Sequence, residues 1–143
     1  PSRKPYMQEL TIDLTAQAID CSSGDIVQCI TIPGNTVVLS AGVQVVESAT
    51  QNSGTDATVI LGTAIDANEY VAAFDIDGAA DLAYAPTVAP AGVIVLATAD
   101  TLDLTFAGSG ATFTAGKLRV YAMLMDVSEV GDKTAQEAVR DQA

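Results

Sequence analysis

The feature that most constrains this chain is a two-residue hydrophobic rhythm, broken at intervals by turn residues, that runs along most of its length. In QELTIDLT, Leu10, Ile12 and Leu14 alternate with polar residues, the signature of a strand with one buried face. IVQCITI (26–32) follows and closes on Pro33-Gly34-Asn35, a strong turn signal. TVVLSAGVQVVESAT (36–50) reads either as two short strands around Ser40-Ala41-Gly42 or as one long kinked strand. ATVILGT (57–63) comes after the polar turn QNSGTD, EYVAAFDI (69–76) after Asp66-Ala67-Asn68, and GVIVLAT (92–98) after APTVAPAG. TLDLTFA (101–107), the turn GSG and KLRVYAMLMD (117–126) complete about eight strands. No helical stripe occurs before residue 127. The pattern predicts an all-β fold, an antiparallel β-sandwich of jelly-roll type. It divides the chain into an extended arm (1–7), a sandwich domain (8–126) and a polar tail (127–143), the tail forming a short helix over 134–141 or staying flexible.

A chain of 143 residues reads as one domain, large enough to build a core without metals or disulfides. Ala supplies 24 positions and Trp none, so the core must be assembled from Val, Ile, Leu and Ala in thin layers. No apolar run approaches the roughly 18 residues of a membrane helix. PSRKPYMQEL has two cations but no apolar stretch behind them, which argues against a signal peptide.

Net charge is −12, and its distribution is uneven. Positions 5 to 116 hold 13 acidic residues and no Lys or Arg. Such a surface repels nucleic acid, whose binding rests on cations neutralising phosphates, and it disfavours anionic membranes. It favours solubility at high copy number.

Catalytic chemistry finds little to stand on. The chain has no His, which removes Ser-His-Asp and Cys-His nucleophiles, His-ligated zinc and the usual general base. No phosphate-binding glycine motif is present. Asp66, Glu69, Asp75 and Asp77 crowd one stretch, and Asp75-Ile76-Asp77-Gly78 superficially follows a calcium loop. Its Gly comes too early, however, and Tyr84 stands where the closing Glu belongs. These carboxylates, like Asp100 and Asp103, read as the solvated rim of a sandwich. Neither an enzyme nor a bound cofactor or metal is expected. Cys21 and Cys29 could face each other as a bridge across the SSGDIVQ turn, or Cys29 could serve as a small core hydrophobe.

Two features suggest contact with partners. In KLRVYAMLMD, Lys117, Arg119 and Tyr121 fall on one face, opposite Leu118, Val120, Ala122 and Leu124. That face is either ordinary solubilising charge or a self-association contact with an acidic copy. The arm carries Arg3, Lys4, Tyr6 and Met7. It is either a frayed terminus or a segment laid across a partner, with cations on carboxylates and Tyr6 and Met7 in an apolar pocket.

The phrases IPGNTVVLSAGVQVVESATQNSGTDATVILGT, NEYVAAFDIDG and FTAGKLRVYAMLMD carry a resemblance. They are similar to small virion proteins of tailed bacteriophages, in particular the capsid decoration (cement) proteins of cyanobacterial and other aquatic phages. The resemblance spans roughly residues 26 to 126. It implies a jelly-roll-like fold, a homotrimer, and a place on the outer surface of the mature capsid at three-fold positions. There it would bridge major capsid protein subunits without catalysis. By position, the arm with Arg3, Lys4, Tyr6 and Met7 would be the capsid-binding segment. The alternative reading is a head- or tail-fibre adhesion module, which would display an aromatic or apolar groove at loop tips.

Overall fold

The computed structural model describes residues 4–16, 18–54, 56–88, 94–110 and 112–128. Its strands are β1 (Tyr6–Asp13), β2 (Ile26–Ile32), β3 (Thr36–Gln51), β4 (Ala57–Gly62), β5 (Val71–Asp75), β6 (Ile94–Leu96), β7 (Asp100–Gly108) and β8 (Phe113–Asp126). They form two four-stranded sheets, ordered β1-β8-β3-β6 and β2-β7-β4-β5. All ladders between these strands are antiparallel. This is the interleaved order of a jelly roll, in which successive strands alternate between sheets or return by long connections. No helix occurs among the described residues. The helix considered for 134–141 lies outside them.

The two-residue rhythm accounts for the core. On β8, Leu118, Val120, Ala122 and Leu124 are fully buried. Opposite them stand Ile12 on β1 and Val45, Val43, Ala41 and Val38 on β3. The second sheet answers with Ile30 and Ile32, Val59 and Leu61, and Leu102, Leu104 and Phe106. Short aliphatic side chains suit two sheets about 10 Å apart. Phe106 packs edge-on to Phe113 inside this core, with ring centroids 6.3 Å apart.

The 36–50 stretch proves to lie in one strand, Thr36–Gln51, of 16 residues. Its register against β8 slips near Leu39, Val46 and Ser48, so it is kinked rather than divided. β8 begins at Phe113, four residues before the expected Lys117, because Phe113 and Ala115 already pair with Gln51 and Thr50. At the other terminus β1 begins at Tyr6, so Tyr6 and Met7 belong to the sheet, opposite Leu124 and Met123. Both cysteines are free thiols. Cys21 is buried, and burial pushes the Cys29 thiol up to about 12. Cys29 falls at the bulge that interrupts β2 between Gln28 and Ile30.

Phe106 is wholly buried and fills more of the core than the Val and Ala around it. Phe106→Ala is expected to lower the unfolding free energy by about 3–5 kcal/mol, measured by urea denaturation followed by circular dichroism.

Candidate interaction surface

The outward face of the β1-β8-β3-β6 sheet collects most of the residues that the sequence singled out. Side chains alternate across a strand, so burial of Leu118 to Leu124 turns Lys117, Arg119, Tyr121, Met123 and Met125 outward. Register then places Asp13 and Glu47 beside Lys117, Thr11 and Gln44 beside Arg119, Glu9 and Gly42 beside Tyr121, and Met7 and Ser40 beside Met123. The result is a face in two halves. One half is apolar: Met7, Met123 and Met125, all three methionines of the chain, share it with Val95. The other half is ionic.

In the ionic half the charges are already engaged. The Arg119 guanidinium donates to Gln44 Oε1 at 2.9 Å and lies 3.6 Å from Glu9 Oε2. Gln44 is 6% exposed, and its Nε2 donates to the Leu82 carbonyl at 3.3 Å. Lys117 Nζ stands 3.9 Å from Glu47 Oε2. Both ion pairs are exposed and contribute about 0–1 kcal/mol each. Their effect is to fix side-chain positions. Tyr121 lies over Gly42, where a Cβ would collide with its hydroxyl, and meets Tyr84 edge-on at 5.8 Å between centroids. Burial, with Tyr84 beside it, raises the Tyr121 pKa.

Lys117, Arg119 and Tyr121 therefore do share a face, but it is an interlocked surface and not a row of unpaired cations. Sequence reasoning missed Glu9, Gly42, Gln44 and Tyr84. The first three follow once β1 and β3 are placed beside β8, since they then fall on its polar side. Tyr84 arrives from a connection, through an isolated bridge to Gln44, and no periodicity signals it. Of the capsid-contact candidates, Lys4 is exposed ahead of β1 and Met7 lies on this outward face. Tyr6 points to the core side, where it is left partly uncovered. Arg3 lies outside the described residues.

The acidic stretch behaves as a rim at three of its four carboxylates. Asp66 accepts from the Asn68 amide, Asp75 accepts from the Asp77 amide, and Asp77 continues the chain beyond buried Ile76. Elsewhere Asp20 takes hydrogen bonds from Ser22 and Ser23, which hold its carboxyl below the usual range. Glu69 departs from the rim reading: it is 7% exposed and accepts from Thr63 Oγ1 at 2.9 Å. Among the described residues, no three Asp, Glu or Cys side chains converge as metal ligands would.

Two predictions follow from this geometry. Gly42→Ala should displace the Tyr121 ring and cost about 1–3 kcal/mol. Because the chain has no Trp, near-ultraviolet circular dichroism reports the displacement chiefly through tyrosine. Burial raises the Glu69 pKa, with Asp66 and Asp100 adding to the shift against the Thr63 hydrogen bond. A carboxyl with a raised folded pKa holds its proton more tightly when folded. Its contribution is complete below the unfolded value of about 4.5 and is lost as pH rises through the raised value. Wild type should therefore lose stability relative to Glu69→Gln as pH rises above about 4.5, as read from paired melting curves.

Comparison with known proteins yields matches of fold. No protein-family model and no curated protein matches the chain. It is similar in structure to a chain of the cyanophage Pam1 capsid asymmetric unit, with a TM-score of 0.63 and 20% identity, over 86% of this chain and 85% of that one. It is also similar to a chain in the acidic stable capsid structure of Helicobacter pylori bacteriophage KHP30, with a TM-score of 0.58 and 11% identity, over 88% of this chain and 90% of that one. At these identities the likeness is one of fold: this jelly roll is shared, over nearly its whole length, with chains of two phage capsids.

Proposed function

We propose that this protein is a structural component of a phage virion: a decoration protein that binds the outside of the mature capsid and bridges major capsid protein subunits. The observation that carries this reading is the two-way coverage of the fold matches. Chains from two phage capsids align over 85–90% of their own length, so the shared unit is nearly the whole of each of those chains. The absence of His agrees with a protein that acts by its shape.

A decoration protein must present a rigid body and bury area between subunits. Assembly as a homotrimer at three-fold positions would let three equivalent contacts form at once. Linked contacts of this kind raise avidity by about 10²–10⁴ without new chemistry. The net charge of −12 would keep neighbouring particles apart when many copies cover a shell. In this reading the arm with Arg3, Lys4, Tyr6 and Met7 contacts the capsid. The outward face with Lys117, Arg119 and Tyr121 meets another copy, Met123 and Met125 supplying adaptable contact area. A fibre-head module would instead display an aromatic or apolar groove at its loop tips. The three Phe residues do not form one, since Phe106 and Phe113 are buried in the core and Phe74 is half-buried in β5, and Tyr84, exposed on a connection, rests against Tyr121.

The test combines solution mass with shell binding. Light scattering is expected to give a trimer, and the protein is expected to occupy empty capsids of the same phage that lack it. Replacing Arg3 and Lys4 together by Glu should weaken occupancy about tenfold or more while leaving fold and mass unchanged. Occupancy equal to wild type would remove the arm from the contact. A monomer would remove the self-association role of Lys117, Arg119 and Tyr121.

A further inference from the structure

We infer that the open edge of β1 is a strand-addition site, filled on the capsid by an extended, cation-bearing segment of a shell subunit; this rests on the decoration reading above. The two sheets have four edge strands, and β1 stands apart from the others. β6 has three residues, and β3 beyond it is sealed by residues 77–85: Ala49 bridges Asp77, and Val45 and Val43 exchange backbone hydrogen bonds with Ala83 and Ala85 at 2.8 and 2.9 Å. β5 has five residues. β2 is bulged at Cys29 and runs into Pro33. β1 has eight residues, an unbroken register and, among the described residues, one ladder partner, β8. Among the described residues, β1 has no bulge, internal Pro or covering loop and is not very short, so of the usual protections of an exposed edge it keeps only charge, at Glu9 and Asp13.

The direction of its free groups can be read from the ladder. Leu14 N–H donates to the Gly116 carbonyl at 3.0 Å. Backbone groups alternate sides along an antiparallel strand, so residues 6, 8, 10 and 12 also face β8. Met7, Glu9 and Thr11 then turn their N–H and C=O groups away from it. At Asp13 the row ends, because its carbonyl accepts from the Ala16 amide at 3.2 Å. Side chains along the edge are correspondingly open. Tyr6 and Leu10 are 36% and 37% exposed on the core side, where their partners Leu124 and Val120 are fully buried. An added strand with apolar residues at alternate positions would cover both.

Charge selects the occupant. A second copy pairing β1 with β1 about the register centred on Glu9 would set two carboxylates face to face. Like charges directly opposite destabilise a strand pair. A segment of another polypeptide with Lys or Arg beside Glu9 lacks that handicap. Main-chain bonds would supply affinity, and the alternate side chains specificity.

Thr11→Pro removes one outward N–H without touching the β8 ladder, and Pro is tolerated at such an edge position. With Thr11→Val as control, Thr11→Pro should keep the wild-type melting temperature and solution mass, yet bind empty capsids about tenfold or more weakly. Equal binding by the two variants overturns the edge site alone, and so does a change of oligomeric mass confined to Thr11→Pro, which would make the edge a contact between copies. Wild-type protein that leaves empty capsids unoccupied overturns the decoration reading and this inference together. Should Thr11→Pro fail to fold, hydrogen exchange on the wild type decides. The Met7, Glu9 and Thr11 amides are expected to exchange freely in solution and to slow about tenfold or more on capsids. Protection already present in free protein, which would mean that the chain covers its own edge, or none gained on capsids overturns it.

Discussion

The pairing of β3 with β8 is the constraint on which the rest of this structure depends. These are the two longest strands, of 16 and 14 residues, and they lie side by side at the centre of one sheet. Their inward residues, Val38, Ala41, Val43 and Val45 against Leu118, Val120, Ala122 and Leu124, line one side of the core. A one-residue slip of either strand would turn its four toward solvent and bring Gln44 on β3, or Arg119 and Tyr121 on β8, inward. The same register that buries the aliphatic side chains therefore composes the outward face. Core and candidate surface are two sides of one ladder.

Much of the fold could be read from the sequence because its cause is local. Alternation marks strands wherever one face is buried, and the turn residues between them set the count. What could not be read depends on partners distant in the chain. Whether 36–50 is one strand or two is decided by β8, which spans the kinks. The start of β8 is decided by Gln51 and Thr50, which draw Phe113 and Ala115 into the ladder. Glu69 looks like its acidic neighbours in sequence, yet it is buried because the 63–70 loop folds back and Thr63 supplies its hydrogen bond.

The candidate surface was legible to a smaller degree. Periodicity puts Lys117, Arg119 and Tyr121 on one face, and they are there. It does not show that Arg119 is held between Glu9 and Gln44, or that Tyr121 rests on Gly42 under Tyr84. Those contacts join residues 37 to 110 positions apart. The openness of β1 is equally invisible in YMQELTID. It depends on which strands flank it, and at the opposite side of that sheet residues 77–85 close the edge in a way that no local pattern announces.

The antiparallel register of β1 on β8 has one more consequence. Tyr6 stands opposite Leu124, so the first strand begins where the last one ends. Whatever polypeptide precedes Tyr6 and follows Asp126 leaves from the same pole of the sandwich, beside Met7, Met123 and Met125. A label attached at Lys4 or at Ser128 would emerge there, and two such labels would compete for the same space. Traction applied between the two ends would open the β1–β8 bonds one after another, like a zip, instead of loading them together.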